Sequence, residues 1–113
     1  MRYSVRFLPR ADADVRQMLQ YLMECSPNGA HTWLTALDRA VDRLRESADT
    51  YSEALESERF TMAVRQLPFK TRRGLVYRLI YTIVEQEVRI LRVRGPGQAP
   101  IEPGEADSQG ANQ

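Results

Sequence analysis

The apolar residues of this 113-residue chain change period once, and that change dictates most of what the chain can fold into. In the first half they recur at helical spacing. Val15, Met18, Leu19, Leu22 and Met23 fall at i, i+3, i+4, i+7 and i+8, one face of an α-helix. Ala30, Trp33, Leu34, Leu37, Ala40, Val41 and Leu44 repeat the pattern beyond Ser26-Pro27. That dipeptide reads as N-cap and first residue of a second helix, because the amide a proline lacks would be unbonded there anyway. A Ser-Pro-Asn-Gly link between two such helices predicts an antiparallel hairpin. In the second half the period drops to two. Leu75, Tyr77, Leu79, Tyr81 and Ile83 alternate with Val76, Arg78, Ile80, Thr82 and Val84, and Val88–Arg94 returns after Glu85-Gln86-Glu87. Both alternating sets are largely apolar, which suits a central strand.

The remaining segments follow from local chemistry. Tyr3, Val5 and Phe7 alternate as a short strand that Pro9 ends, and Asp12 or Asp14 is expected to cap the first helix. Ser47–Arg59 reads as a polar, acidic linker with at most a short helical turn, either solvated or folded against the chain's own basic face. Met62–Leu67 is strand-like and broken at Pro68; Thr71–Gly74 is a turn signal. The order is β–α–α–β–β–β. This is an α+β fold in which a helical hairpin packs on one face of a small, mainly antiparallel sheet. The length fits one domain, placed at residues 1–95. Residues 96–113, rich in Gly, Pro and acids with only Ile101 to bury, are expected to be a disordered tail.

The near-neutral net charge of +1 hides a segregation. Residues 1–59 carry eight basic and ten acidic side chains, residues 60–95 eight basic and two acidic, and residues 96–113 three acidic and none basic. With helices on one face only, the other face of the sheet is expected to lie open, studded with arginine and suited to an anionic partner. Lys70, Arg72, Arg73, Arg92 and Arg94 are the candidate contacts to nucleic acid or to an acidic protein. The bland reading of Arg78 is a strand arginine paired with Glu85 or Glu87. Tyr77, Tyr81 and Trp33 read as packing residues first.

Several classes of chemistry lack material. Cys25 is the lone cysteine and His31 the lone histidine, so one chain holds no disulfide, no cysteine-based zinc site and little with which to build a Ser–His–Asp triad. No metal or cofactor is expected. No apolar run approaches the roughly 20 residues of a membrane span, and the N-terminus lacks the apolar core of a secretory signal. A cytoplasmic location is the expectation.

The element order, the Ser26-Pro27-x-x-Ala30 helix start, and Tyr77-Arg78-Leu79-Ile80-Tyr81 followed by Val88-Arg89-Ile90-Leu91-Arg92-Val93 resemble the RelE/ParE superfamily over residues 3–95. Its members are the toxins of type II toxin–antitoxin modules, and the resemblance implies a cognate antitoxin as partner. It also implies one of two targets. RelE-like members cut messenger RNA on the ribosome without a metal, using clustered cations that stabilise the phosphorane. Arg78 stands where such enzymes place a phosphate-stabilising arginine, and Arg65 is the second candidate. After the last strand, where the active ribonucleases carry basic residues and a tyrosine, this chain has Gly95-Pro96-Gly97-Gln98-Ala99-Pro100. That departure favours the other branch, the ParE-like members, described as inhibitors of DNA gyrase that act by protein contact. A non-toxic RNA- or protein-binding domain is the third alternative.

Overall fold

The computed structural model describes residues 2–71 and 74–106. Six regular elements build it: β1 (Ser4–Phe7), α1 (Pro9–Cys25), α2 (Pro27–Ser47), β2 (Arg65–Lys70), β3 (Val76–Val84) and β4 (Glu87–Arg94). The sheet order is β1-β4-β3-β2, with β1 parallel to β4 and the other pairs antiparallel. The element order and the α+β class expected from the sequence are those observed.

Local chemistry explains most boundaries and revises several. Pro9 does end β1, but it opens α1 rather than preceding it, sitting at the first helical position with Leu8 as an N-cap that gives no side-chain bond. Asp12 and Asp14 therefore lie inside the helix and cap nothing. Only Ser26 separates the helices; its side-chain oxygen accepts from the Gly29 N–H at 3.1 Å, as the Ser-Pro signal implies. Pro68 does not break β2. The Gln66 N–H, on the outward edge of β2, donates to the Ser52 carbonyl, and Pro68, two residues on, turns the same way, so its missing donor takes nothing from the β3 ladder. The hairpin turn is Glu85-Gln86, with Glu85 in the left-handed region at φ 57°.

The hairpin of helices covers one face, here the inner one. Ala11, Trp33, Leu37, Ala40, Val41 and Leu44 pack on Leu79, Tyr81, Val88, Ile90 and Val93. Phe69 stacks on Tyr77 at 5.6 Å between centroids, and both meet Trp33, which pins the end of β2 beneath α2. Ile90 and Val93 share this face at a three-residue spacing because β4 carries one extra residue opposite Ile80/Tyr81, which turns Leu91 outward.

The outer face is not open, contrary to expectation. A second core of Leu8, Ala54, Val64, Ile80, Leu91 and Ile101 covers it, flanked by Phe60, Met62 and Ala106. Two segments supply that cover. The linker, expected to hold at most one turn, contains 3-10 turns at Ala48–Thr50 and Leu55–Arg59. The chain beyond β4, expected to be disordered from residue 96, reverses at Gly97 (φ 79°) and lies back over the sheet through Ala106. Gly95 starts this reversal, where a Cβ would stand 3.2 Å from the Tyr77 ring. Ile101 is 0% exposed, a burial that contributes about 1.5–3 kcal/mol and holds this strap of residues 98–106 down. Residues 107–113 of the expected tail lie outside the described residues.

Candidate functional site

The outer face brings together three of the arginines singled out in the sequence, Arg78, Arg92 and Arg94, and a carboxylate of the same chain meets each one. Arg78 and Arg94 lie directly opposite each other on β3 and β4. Two like charges so placed repel unless each is answered. Arg78 is answered by Glu56, not by Glu85 or Glu87: Nη1 and Nη2 donate to its two oxygens at 3.0 and 2.8 Å, and Nη1 also donates to Gln66 Oε1 at 2.9 Å. Arg94 meets Glu105 at 3.3 Å. Arg92 forks onto Asp14 at 2.7 and 2.8 Å and donates to the Glu105 carbonyl, so it joins α1 to the strap. Arg6 and Arg89, opposed in register on β1 and β4, both reach Glu87. Arg65, opposite Tyr81 and so on the inner side of the sheet, donates to the Tyr51 carbonyl at 2.5 Å.

Glu56 is the centre of this arrangement. Its side chain is 0% exposed, whereas Arg78 keeps 22% of its side chain in solvent. Burial by itself pushes the Glu56 carboxyl up. The Arg78 bonds, its own backbone amide and the Ile101 N–H together outweigh that and hold it below the ordinary carboxylate range. One buried carboxylate thus ties linker, sheet and strap together. Arg59 repeats the tie at the surface, donating to Glu102 at 2.7 Å, as does Arg10 to the Gly104 carbonyl at 2.6 Å.

The tyrosines of the β3 motif are packing residues. The Tyr81 hydroxyl donates to the Ala48 carbonyl at 2.6 Å, and burial pushes its pKa up. Tyr77 is raised in the same way by burial. Two buried donors, Trp33 Nε1 and Arg94 Nε, have no partner among the described residues.

The other candidates lie elsewhere. Lys70 stands exposed at the end of β2, beside α2 and two residues beyond Pro68, the partner of Arg78; Arg72 and Arg73 fall outside the described residues. Sequence reasoning missed Asp14, Glu56 and Glu105 as partners of the arginines. The one available signal was the acidic linker, whose alternative reading was a segment folded against the basic face. It also missed a cleft of about 500 Å³ where α2 meets the end of β2, lined by His31, Thr32, Thr35, Ala36, Arg39, Lys70 and Thr71.

Comparison with known proteins agrees with this architecture. Residues 5–100 match the family described as the ParE toxin of the type II toxin–antitoxin system parDE. A chain of the solved chromosomal ParDE system from P. aeruginosa superposes with a TM-score of 0.61 at 21% identity, covering 82% of this chain and 95% of that one. No curated protein matches the sequence. Among the described residues no helix is long and apolar enough to cross a membrane. The family match spans most of the chain, so the chain belongs to the ParE toxin family of type II toxin–antitoxin systems, a membership that implies a cognate ParD antitoxin.

Proposed function

We propose that this ParE family member arrests growth by contact with a protein target, DNA gyrase, and not by cutting messenger RNA. The observation that carries this reading is the lock between Glu56 and Arg78. Cleavage without a metal needs a cation free to take up charge on the phosphorane and a group poised to move a proton. Both oxygens of a buried carboxylate hold the Arg78 guanidinium, and a backbone carbonyl holds Arg65. The Tyr81 hydroxyl is buried and bonded, with its pKa moved away from neutrality. The Gly95–Pro100 stretch adds no acid or base.

Induction of the chain in a bacterial host tests the reading. Growth should stop with transcripts intact, purified protein should inhibit gyrase supercoiling, and co-expression of the ParD partner should restore growth. Transcripts cut at defined sites on ribosomes, with gyrase unaffected, would overturn it in favour of the RelE-like alternative. The absence of any growth effect would leave only a binding domain.

A further inference from the structure

Among the described residues three cations, Arg39, Arg43 and Lys70, make neither an ion pair nor a side-chain hydrogen bond, and two of them share a cleft. Arg39 on α2 and Lys70 at the end of β2 line that cleft with His31, Thr32, Thr35 and Thr71, and no carboxylate lines it. Asp38 precedes Arg39 by one residue and so projects about 100° further round the helix, outside the lining. The Thr35 hydroxyl donates to the His31 carbonyl at 3.0 Å, while Thr32 and Thr71 have hydroxyls left to donate. From His31 to Arg39 the helix rises about 12 Å, so the cleft runs along more than two turns of α2.

At Thr32 and Thr71 the cleft runs into a second groove of about 550 Å³, whose lining includes Tyr21, Leu22, Trp33, Leu75 and Tyr77. Tyr21 is 66% exposed there, and Leu75 48%. Cations and hydroxyls beside an uncovered aromatic ring form the arrangement that tracks a phosphate backbone while a base stacks alongside. Carboxylates of a peptide would use the cations but have no need of the ring.

We infer that the α2–β2 cleft binds the phosphodiester backbone of a single-stranded nucleic acid, with an unpaired base stacked on Tyr21. The site goes beyond the proposed function: it requires no cleavage, and binding is read on the purified chain whether or not that chain is toxic.

Fluorescence anisotropy with a labelled oligothymidylate of about 20 nucleotides tests it. The wild-type chain should bind, with affinity falling as salt rises. Arg39→Ala/Lys70→Ala should lose roughly tenfold and flatten the log–log salt slope by about 1.4, the contribution of two phosphates of a single strand. Tyr21→Ala should lose about fivefold on the single strand and leave duplex binding unchanged. The charge-matched control Arg2→Ala/Arg16→Ala removes two cations elsewhere, paired with Glu46 and Asp12, and should bind as wild type. Equal losses in the control and the cleft variant would overturn the inference. So would a preference for duplex, or displacement by polyglutamate at equal charge, which would assign the cleft to an acidic protein.

Discussion

The outer face of the sheet and the α2–β2 cleft are both cationic in sequence, and they differ in whether the chain itself answers the charge. On the outer face Arg78, Arg92 and Arg94 each meet a carboxylate brought from a distant segment, and an apolar layer closes over them. In the cleft Arg39 and Lys70 face solvent with no carboxylate in the lining. Counting charges along the chain ranks the two the wrong way round. Within the densest arginine block Arg78, Arg92 and Arg94 are neutralised by carboxylates of the chain, whereas Lys70 of the same block and Arg39, 31 positions before it, form the exposed pair. The difference is one of desolvation. Guanidinium groups in opposed strands under an apolar layer persist only if paired, and cations at a solvated rim carry no such requirement.

Four measurements break or sharpen this contrast. The largest effect is expected from Ile101→Ala, which empties the centre of the outer core and should cost about 3.5 kcal/mol in denaturant unfolding. A loss near zero would mean that the strap is not part of the folded unit. Glu56→Ala should cost about 3 kcal/mol, toward the lower end for breaking a buried pair because Arg78 remains partly in water. Adding Arg78→Met to that variant should recover part of the loss, because the orphaned cation goes with it. Acid comes next. Glu56, Glu87 and Glu105 all have carboxyls held below their ordinary range, the first by Arg78 and two backbone amides against burial, Glu87 by Arg89 and Arg6, Glu105 by the Glu102 amide. A lowered folded-state pKa contributes stability that is fully present above the unfolded value and lost as pH falls through the folded one. Melting temperature should therefore drop as pH is taken from neutrality to below the carboxylate range, and Glu56→Gln should show a shallower drop. The smallest effect belongs to the cleft: Arg39→Ala and Lys70→Ala should each change stability by no more than about 0.5 kcal/mol. A larger loss in either would mean that the cleft cations are structural after all.

Much of the fold was legible because its signals are local. Helical spacing in 15–44, strict alternation in 75–84 and the Ser26-Pro27 start each depend on neighbours within one or two turns, and each element formed where its pattern lies. The β3–β4 hairpin carried the family likeness for the same reason. Misplaced boundaries have specific causes. Pro9 ends β1 as expected but also starts α1, ahead of the Asp caps, and Pro68, expected to break β2, occupies an outward edge position where no donor is needed. The extra residue in β4 was invisible because Leu91 and Arg92 fit simple alternation as well as a bulge does. The strap was missed because a single isoleucine among prolines, glycines and acids gives no period to detect.

The amino-acid order alone determined the elements, their succession and the family, since those depend on spacing along the backbone and on caps and turns a few residues long. Which arginines are neutralised, and which stay available, was decided only in three dimensions. The pairing of Arg78 with Glu56 spans 22 positions and that of Arg92 with Asp14 spans 78. An ion pair is set by through-space distance and burial, and neither quantity is written along the chain.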